Sequence, residues 1–185
     1  MLIRLAAALV AAFMLMPLAA SAQQTLDPEN TIYMDIPAGR VVIKLRPDLA
    51  PKHVARIKEL TRKGFYDGTP FHRVIPGFMA QGGDPTGTGT GGSDLPNLKA
   101  EFSNVPFTRG MVGMARTGDP NSANSQFFIV YGDAPWLNGQ YTIWGEVVSG
   151  MEYVDKLKAG AGADGIVDHP DRIIRMRVAA DVKKQ

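Results

Sequence analysis

Short segments of β-type sequence, separated by turn residues, occupy most of the chain and limit the folds open to it. Each segment alternates apolar and polar residues or is rich in β-branched ones, and Gly, Pro, Asn or Asp stands between them. The segments do not alternate with helices, so the pattern favours an antiparallel barrel or sandwich whose ends are closed by helices. The candidate strands are residues 31–36, 40–45, 71–75, 78–81, 111–115, 126–130, 141–148 and 172–178.

Two helices are predicted between these strands. The stronger candidate covers residues 48–63, where Pro51 suits a first helical turn and Gly64 is placed to end the helix. Its apolar residues recur at helical spacing, with Lys and Arg between them: Val54, Ile57 and Leu60. A shorter helix is predicted after Gly150. The whole pattern is that of a mainly β domain with about eight strands and two helices.

The first 22 residues have the features of a secretory signal. Arg4 is a short basic region, residues 5–18 are almost unbroken apolar sequence, and Ala20-Ser21-Ala22 is a small-x-small cleavage site. The alternative is a membrane anchor, but the apolar run has 14 residues, fewer than the roughly 20 that a spanning helix needs. We therefore predict a cleaved signal peptide, residues 1–22, followed by one domain, residues 23–185, with no membrane anchor after cleavage.

Charge and residue content exclude several functions. The formal net charge of +2 falls to +1 when Arg4 leaves with the signal, which argues against a nucleic-acid or membrane-surface binder. The absence of cysteine excludes disulfides, thiolate metal sites and a cysteine nucleophile. The three histidines, His53, His72 and His169, lack close ligand spacing, so no metal site is predicted. Sequence motifs of serine hydrolases, zinc proteases and P-loop proteins are also absent.

A glycine-rich loop at residues 82–96 contains a weak match to a dinucleotide-binding motif, at Gly87, Gly89 and Gly92. Such a motif should follow a strand directly and open a helix, whereas here Ser-Asp-Leu-Pro follows. Turn glycines are the favoured interpretation, and a dinucleotide binder stays a distant alternative.

The remaining chemical groups are an arginine, glutamines and apolar side chains, and these suit one reaction that needs no nucleophile, metal or cofactor. Rotation about an X-Pro bond is opposed by amide resonance, with a barrier of roughly 20 kcal/mol. An apolar pocket that grips proline, polar groups that hold the backbone, and a cation near the prolyl nitrogen would favour the twisted amide. Arg73, in the stretch FHRVIPGFMAQGGD at residues 71–84, suits the last role because a guanidinium stays charged.

Strand alternation predicts which side chains share a face. Gln126 and Phe128 should point to the site and Phe127 to the interior. The same rule places Phe71 and Arg73 on one face and His72, interpreted as structural, on the other.

Three stretches resemble the cyclophilin family of peptidyl-prolyl cis-trans isomerases: FHRVIPGFMAQGGD, SQFFI at residues 125–129, and WLNGQYTIWGEVVSGM at residues 136–151. The resemblance covers about residues 31–178, and residues 99–116 resemble the bacterial branch. It implies a closed eight-stranded antiparallel β-barrel capped by two α-helices. Together with the signal it implies export, most simply to a bacterial periplasm.

The resemblance also implies roles for individual residues. Arg73 would be the catalytic arginine, and Gln81 and Gln126 would hydrogen-bond the substrate backbone or hold Arg73. Ala115 and Arg116 would form the wall beside the residue that precedes proline. The proline pocket would be lined by Phe78, Met79, Phe128 and Leu137, with Trp136 on its rim. No cofactor is implied, and nothing demands more than a monomer.

The implied partners are proline-containing peptides and unfolded or folding proteins, with cyclosporin-like ligands as a further class. Two residues depart from the family pattern: Tyr141 stands where many members have histidine, and Arg116 where many have asparagine. Both departures bear on cyclosporin affinity more than on catalysis, and the charge of Arg116 could alter substrate preference. A non-catalytic proline-peptide-binding or chaperone module on the same fold is the alternative, which the intact Arg73 and pocket disfavour.

Overall fold

The computed structural model describes residues 25–182, in which eight strands and two α-helices form as the sequence predicts. The predicted signal peptide, residues 1–22, lies outside the described residues. None of the described helices is long and apolar enough to cross a membrane. The strands are β1 (Thr31–Ile36), β2 (Gly39–Leu45), β3 (Arg73–Ile75), β4 (Met79–Gly82), β5 (Met111–Met114), β6 (Phe127–Val130), β7 (Ile143–Ser149) and β8 (Arg175–Val178), and the helices are α1 (Pro51–Arg62) and α2 (Met151–Val154).

All eight strands belong to one antiparallel sheet, in the order β3-β4-β6-β5-β7-β2-β1-β8. The sheet curls into an open half-barrel and not the closed barrel that the family resemblance implied, because β3 and β8 form no ladder with each other. The outer edge of β3 is occupied by a loop instead: the Val74 amide donates to the Gly165 carbonyl at 2.7 Å, and the Gly160 amide donates to the Val74 carbonyl at 2.9 Å.

The two edges are nevertheless tied together by the segments that precede them. The Phe71 amide donates to the Asp171 carbonyl at 2.9 Å, and the Ile173 amide donates to the Thr69 carbonyl at 2.9 Å. These bonds satisfy backbone groups next to the two edge strands, so the open side is bridged although the strands themselves do not pair.

The inner face of the sheet and the apolar face of α1 bury the main core. Phe127 lies at its centre, where its ring makes edge-to-face contacts with Tyr66, Phe71 and Trp144. This position of Phe71 shows that the predicted pairing of Phe71 and Arg73 on one face is wrong. Alternation holds only within a strand, and β3 begins at Arg73, so residue 71 does not follow the strand's period.

The first turn of α1 depends on a side chain from a distant loop. Ala50 at the N-cap has no capping side chain, and the Glu101 carboxylate accepts hydrogen bonds from the amides of Lys52 and His53 instead. The same carboxylate lies 2.7 Å from Nδ1 of the fully buried His53 ring. Glu101 therefore fixes the start of α1 and the orientation of His53 together.

Candidate active site

Four strands place one row of residues side by side across the outer face of the sheet. Arg73 in β3 is opposite Gln81 in β4, Gln81 is opposite Phe128 in β6, and Phe128 is opposite Gly113 in β5. Residues that face each other across antiparallel strands project to the same side. A guanidinium and an amide from the β3-β4 hairpin thus come together with a phenyl ring from β6, which is distant in the sequence.

Arg73, Gln81 and Phe128 of this row line a cavity of about 290 Å³. The cavity brings together every residue predicted for the site except Gln126: Arg73, Phe78, Met79, Gln81, Ala115, Arg116, Phe128, Trp136, Leu137 and Tyr141. Met79, Phe128 and Leu137 are buried, whereas Trp136 on the rim exposes 62% of its surface. The cavity therefore has an apolar floor and an exposed aromatic edge, with Arg73 as one wall.

Aromatic contacts hold the cavity walls in place. Phe128 stacks on Phe107 with ring centroids 5.7 Å apart. The ring of Tyr141 packs edge to face against Phe128, with ring centroids 5.5 Å apart. Phe78 lies 5.5 Å from the ring of Trp136. Apart from exposed Trp136, these rings belong to an apolar cluster separate from the main core, and this cluster supports the cavity.

A chain of hydrogen bonds links Arg73 to the second predicted glutamine. Arg73 Nη1 donates to Gln81 Oε1 at 3.3 Å, and Gln81 Nε2 donates to Gln126 Oε1 at 3.0 Å. Gln126 Nε2 then donates to the carbonyls of Gly89 and Gly91. These hydrogen bonds therefore fix the orientations of both glutamine side-chain amides between the glycine-rich loop and the Arg73 guanidinium.

A second anchor of Arg73 was not predicted. Its Nε donates to the Asp164 carbonyl at 2.8 Å, while Nη2 forms no hydrogen bond within the part of the chain that the structure describes. Gly165 has φ +68°, and a Cβ there would collide with the Ile75 side chain, so only glycine lets this loop approach β3. A backbone carbonyl leaves no residue-type signal, and the glycines of residues 160–165 were the only available clue.

The glycine-rich loop is organised around its own aspartate. The buried Asp84 carboxylate accepts hydrogen bonds from the amides of Thr86, Gly89 and Gly91 and from the Thr86 hydroxyl. Burial acts to raise the pKa of the Asp84 carboxyl, but the Thr86 hydroxyl and these amides outweigh it and hold the pKa below its usual range. Amides that could cradle a phosphate are thus already occupied, in agreement with the interpretation of these glycines as turn residues.

His72 is buried beside this loop. Its Nε2 lies 3.6 Å from the position that a Cβ on Gly89 would take, and neither ring nitrogen has a hydrogen-bond partner among the described residues. Burial lowers the pKa of the His72 imidazole, and the Asp84 charge only partly opposes this. His72 does not line the cavity that holds Arg73.

A larger polar cavity of about 450 Å³ adjoins the apolar one. Gln126 lines it, together with Asn124 and the backbone of the glycine-rich loop. Gln81, Ala115 and Arg116 line both cavities and form the wall between them.

Arg116 is held in this wall by carbonyl groups and an aromatic ring. Its Nε and Nη2 donate to the Gln140 carbonyl, and Nη1 donates to the carbonyls of Thr117 and Gly118. Its guanidinium carbon lies 4.5 Å from the centroid of the Tyr141 ring. The two residues that depart from the expected family pattern are therefore in direct contact.

Within residues 25–182 no group of three or more His, Asp or Glu side chains is arranged to hold a metal ion. What the site offers is an apolar depression, a fixed guanidinium and amide groups. In general, such a combination suits the binding of an apolar ring and the stabilisation of a developing lone pair.

Comparison with protein families gives one match over almost the whole described chain. The family model described as cyclophilin type peptidyl-prolyl cis-trans isomerase/CLD matches residues 31–178. A probable peptidyl-prolyl cis-trans isomerase of Brucella suis is 57% identical over 169 residues, covering 85% of this chain and 86% of the relative. Peptidyl-prolyl cis-trans isomerase B of Bacillus subtilis is 45% identical over 123 residues, covering 65% of this chain and 85% of the relative.

Solved structures agree with the sequence comparisons. A cyclophilin from Hirschia baltica superposes with a TM-score of 0.76 at 30% identity, covering 85% of this chain and 77% of that one. A cyclophilin type peptidyl-prolyl cis-trans isomerase from Cryptosporidium parvum, crystallised in the presence of the dipeptide Ala-Pro, gives a TM-score of 0.73 at 30% identity and covers 80% of this chain and 98% of that one.

Proposed function

The chain belongs to the cyclophilin-type peptidyl-prolyl cis-trans isomerase family, and from this premise we propose that the Arg73 site accelerates rotation about X-Pro bonds in peptides and folding proteins. The observation that carries the proposal is the position of Arg73. Its guanidinium is anchored at Nε and Nη1 on the wall of an apolar cavity, and Nη2 is left without a partner among the described residues.

The reaction follows from this arrangement. The proline ring of the substrate enters the apolar cavity and displaces water from the rings of Phe78 and Phe128. Rotation of the amide ends its resonance and localises the lone pair on the prolyl nitrogen. A guanidinium beside that nitrogen stabilises the twisted amide more than the planar one, which is the requirement for catalysis.

The remaining groups position the substrate. The residue preceding proline lies against Ala115 and Arg116, and the amides of Gln81 and Gln126 hold the substrate backbone or the guanidinium. The crystals of the Cryptosporidium parvum relative grown with Ala-Pro support a proline-containing dipeptide as a ligand of this site.

Replacing Arg73 tests the role of its charge. We expect Arg73→Ala to lower kcat/KM for an X-Pro peptide by about 10²–10³-fold, the size of the loss when one preorganised donor is removed from a charge-stabilising site. Arg73→Lys should retain part of the rate, because it keeps the charge and loses the two-point anchorage. NMR exchange spectroscopy or a protease-coupled assay measures these rates.

Arg172→Ala is the matched control, since Arg172 is an exposed arginine that, like Arg73, donates to a backbone carbonyl, in this case that of Gly68. It should leave the rate unchanged. Equal rates in Arg73→Ala and the wild type, with both proteins folded, would remove Arg73 from its proposed role.

The alternative is a proline-peptide-binding or chaperone module with little turnover. Binding of an X-Pro peptide by the wild type, with an exchange rate no faster than that of the free peptide, would favour this alternative.

We also propose that the protein is an exported bacterial member of the family, acting in the periplasm as a monomer after removal of residues 1–22. The basic and apolar regions and the Ala20-Ser21-Ala22 site support this proposal. The mass of the protein recovered from expressing cells distinguishes the cleaved chain from the uncleaved one.

A further inference from the structure

We propose that Arg116, held in place by Tyr141, makes this enzyme select substrates that carry a carboxylate on one of the two residues preceding proline. This inference rests on the proposed function and names the substrate class of the same site. Arg116 is thus a specificity-determining residue and Tyr141 a positioning residue for it.

The position of Arg116 follows from the two cavities. In the binding mode proposed above, where the residue preceding proline lies against Ala115 and Arg116, the peptide runs from the apolar cavity toward the polar one. It crosses the common wall of the two cavities, which consists of Gln81, Ala115 and Arg116. The polar cavity, about 450 Å³, is large enough for a charged side chain and its water. A side chain that precedes the proline therefore passes within reach of the Arg116 guanidinium.

The charge of Arg116 is not neutralised by the protein. All its hydrogen bonds go to carbonyl oxygens, and no carboxylate pairs with it among residues 25–182. No Asp or Glu side chain among the described residues lines either cavity, so Arg73 and Arg116 contribute two positive charges without an acidic neighbour in the lining. Such a cleft attracts anionic ligands and repels cationic ones.

Tyr141 determines where this charge lies. The guanidinium sits over the Tyr141 ring at 4.5 Å, while the edge of that ring contacts Phe128 on the floor of the apolar cavity. A cation over an aromatic face is attracted to it and loses freedom to swing into solvent. The same ring thus lines the proline site and holds the charge next to it, which gives both departures from the family pattern one physical reason.

The competing explanation is that Arg116 only ties together the backbones of residues 117–118 and 140. That role predicts equal effects on all substrates when Arg116 is replaced. Charge selection predicts effects that depend on the substrate. The ratio of kcat/KM between two peptides, measured with one protein sample, therefore separates the two explanations, and it does not depend on the overall activity of the sample.

The experiment measures kcat/KM by NMR exchange for peptides identical except at one position. Glu, Gln or Lys is placed immediately before proline, and in a second series one residue earlier. For the wild type at low salt we expect the Glu peptide to exceed the Lys peptide by about three- to tenfold in at least one series, as for a partly exposed charge pair. Raising the salt to about 1 M should compress this ratio toward one, because the Debye length then falls to about 3 Å.

Substitutions test whether Arg116 causes the preference for the Glu peptide over the Lys peptide. Arg116→Gln should bring the Glu-to-Lys ratio close to one, and Arg116→Lys should retain part of it. Tyr141→Phe keeps the ring and should preserve the ratio, whereas Tyr141→Leu should reduce it. Arg175→Gln is the control for net charge, since Arg175 lies on β8 and pairs with Asp35; it should leave the ratio unchanged.

The outcomes separate the two proposals. If the wild type accelerates none of the peptides, the proposed function fails. If it accelerates all of them with equal kcat/KM, only the selection for carboxylates is overturned. A Glu-to-Lys ratio that persists in Arg116→Gln would also overturn it, because the preference would then come from elsewhere.

Discussion

Gly113 sets the depth of the apolar cavity at the scale of a single residue. A Cβ added there would lie 2.5 Å from Cζ of Phe128 and 2.8 Å from Cε1 of Phe107, closer than atoms can approach. Both rings are buried and packed against each other, so neither can move away freely. The missing side chain of Gly113 therefore allows Phe128 to serve as the floor of the site.

Gly113→Ala should consequently damage both activity and stability. The added methyl pushes Phe128 toward the space meant for proline, and overpacking of this kind costs about 1–3 kcal/mol. We expect a lower kcat/KM for X-Pro peptides, together with a lower free energy of unfolding in urea titrations. Gly132→Ala is the matched control, because its nearest atom is the Gly77 carbonyl oxygen at 3.9 Å. A Gly113→Ala protein with wild-type activity and stability would show that the floor can shift without cost.

The sequence indicated side chains of the candidate site by two routes. The chemistry of amide rotation suggested a role for the cation of Arg73, and the family resemblance implied Gln81 and Phe128; the structure brings all three to one cavity. The Asp164 carbonyl could not be found, since every residue has a carbonyl. The contact of Arg116 with Tyr141 was also beyond the sequence, because their separation has no helical or strand period that would bring them together.

At the scale of elements, the alternation of residues predicted which side of the sheet a side chain faces only where the structure forms a strand. In β6, Phe127 points into the core and Phe128 to the cavity, as expected. The rule failed at Phe71, which precedes β3 and belongs to the segment that pairs with residues 171–173. Helix α1 was predicted at residues 48–63 and spans Pro51–Arg62, but its cap by Glu101 is a long-range contact that local sequence does not show.

The burial of His53 and its contact with Glu101 make the stability of the protein depend on pH. Burial lowers the pKa of the His53 imidazole, and Glu101 only partly opposes this. Burial acts to raise the pKa of the Glu101 carboxyl, but hydrogen bonds from the His53 side chain and from the His53 and Lys52 amides lower it overall. The folded state thus favours neutral His53 donating from Nδ1 to ionised Glu101.

The pKa shifts of His53 and Glu101 both make the folded protein less stable in acid. The unfolded chain binds a proton at His53 below about pH 6.5 while the folded chain does not, so the free energy of unfolding should fall as pH drops from there. Glu101 adds a further loss below about pH 4.5. His53→Asn keeps a neutral donor, and it should reduce the slope of stability against pH between 5 and 6.5 by up to about 1.4 kcal/mol per unit. A residual slope should remain, because buried His72 acts in the same direction.

Urea titrations across this pH range measure both slopes. Glu59→Gln is the control, since Glu59 pairs with Lys63 on the exposed surface of α1 and should leave the slope between pH 5 and 6.5 unchanged. Identical slopes for His53→Asn and the wild type would contradict the assignment to His53.

At the scale of the whole molecule, the number of strands did not decide whether the sheet closes. Closure requires the two edge strands to pair with each other, and the outer edge of β3 pairs with residues 160–166 instead. Residues 160–166 are rich in turn residues and lack strand periodicity, so the sequence does not indicate that they pair with β3. The same segment supplies the Asp164 carbonyl to Arg73, so the edge that stays open in the sheet is also the edge that anchors the guanidinium.

The predicted cleavage after Ala22 is compatible with this architecture. The first described element is a short 3-10 turn at Pro28–Asn30, and β1 begins at Thr31, so removal of residues 1–22 takes away no described strand or core side chain. The chain of 163 residues that remains should therefore unfold at the same urea concentration as the full chain of 185.

In bacteria that express the full chain, mass spectrometry of the periplasmic fraction should show a protein beginning at Gln23. Ala22→Glu should block this processing, because the cleavage site needs a small residue. A folded, active periplasmic protein that retains residues 1–22 would contradict the prediction.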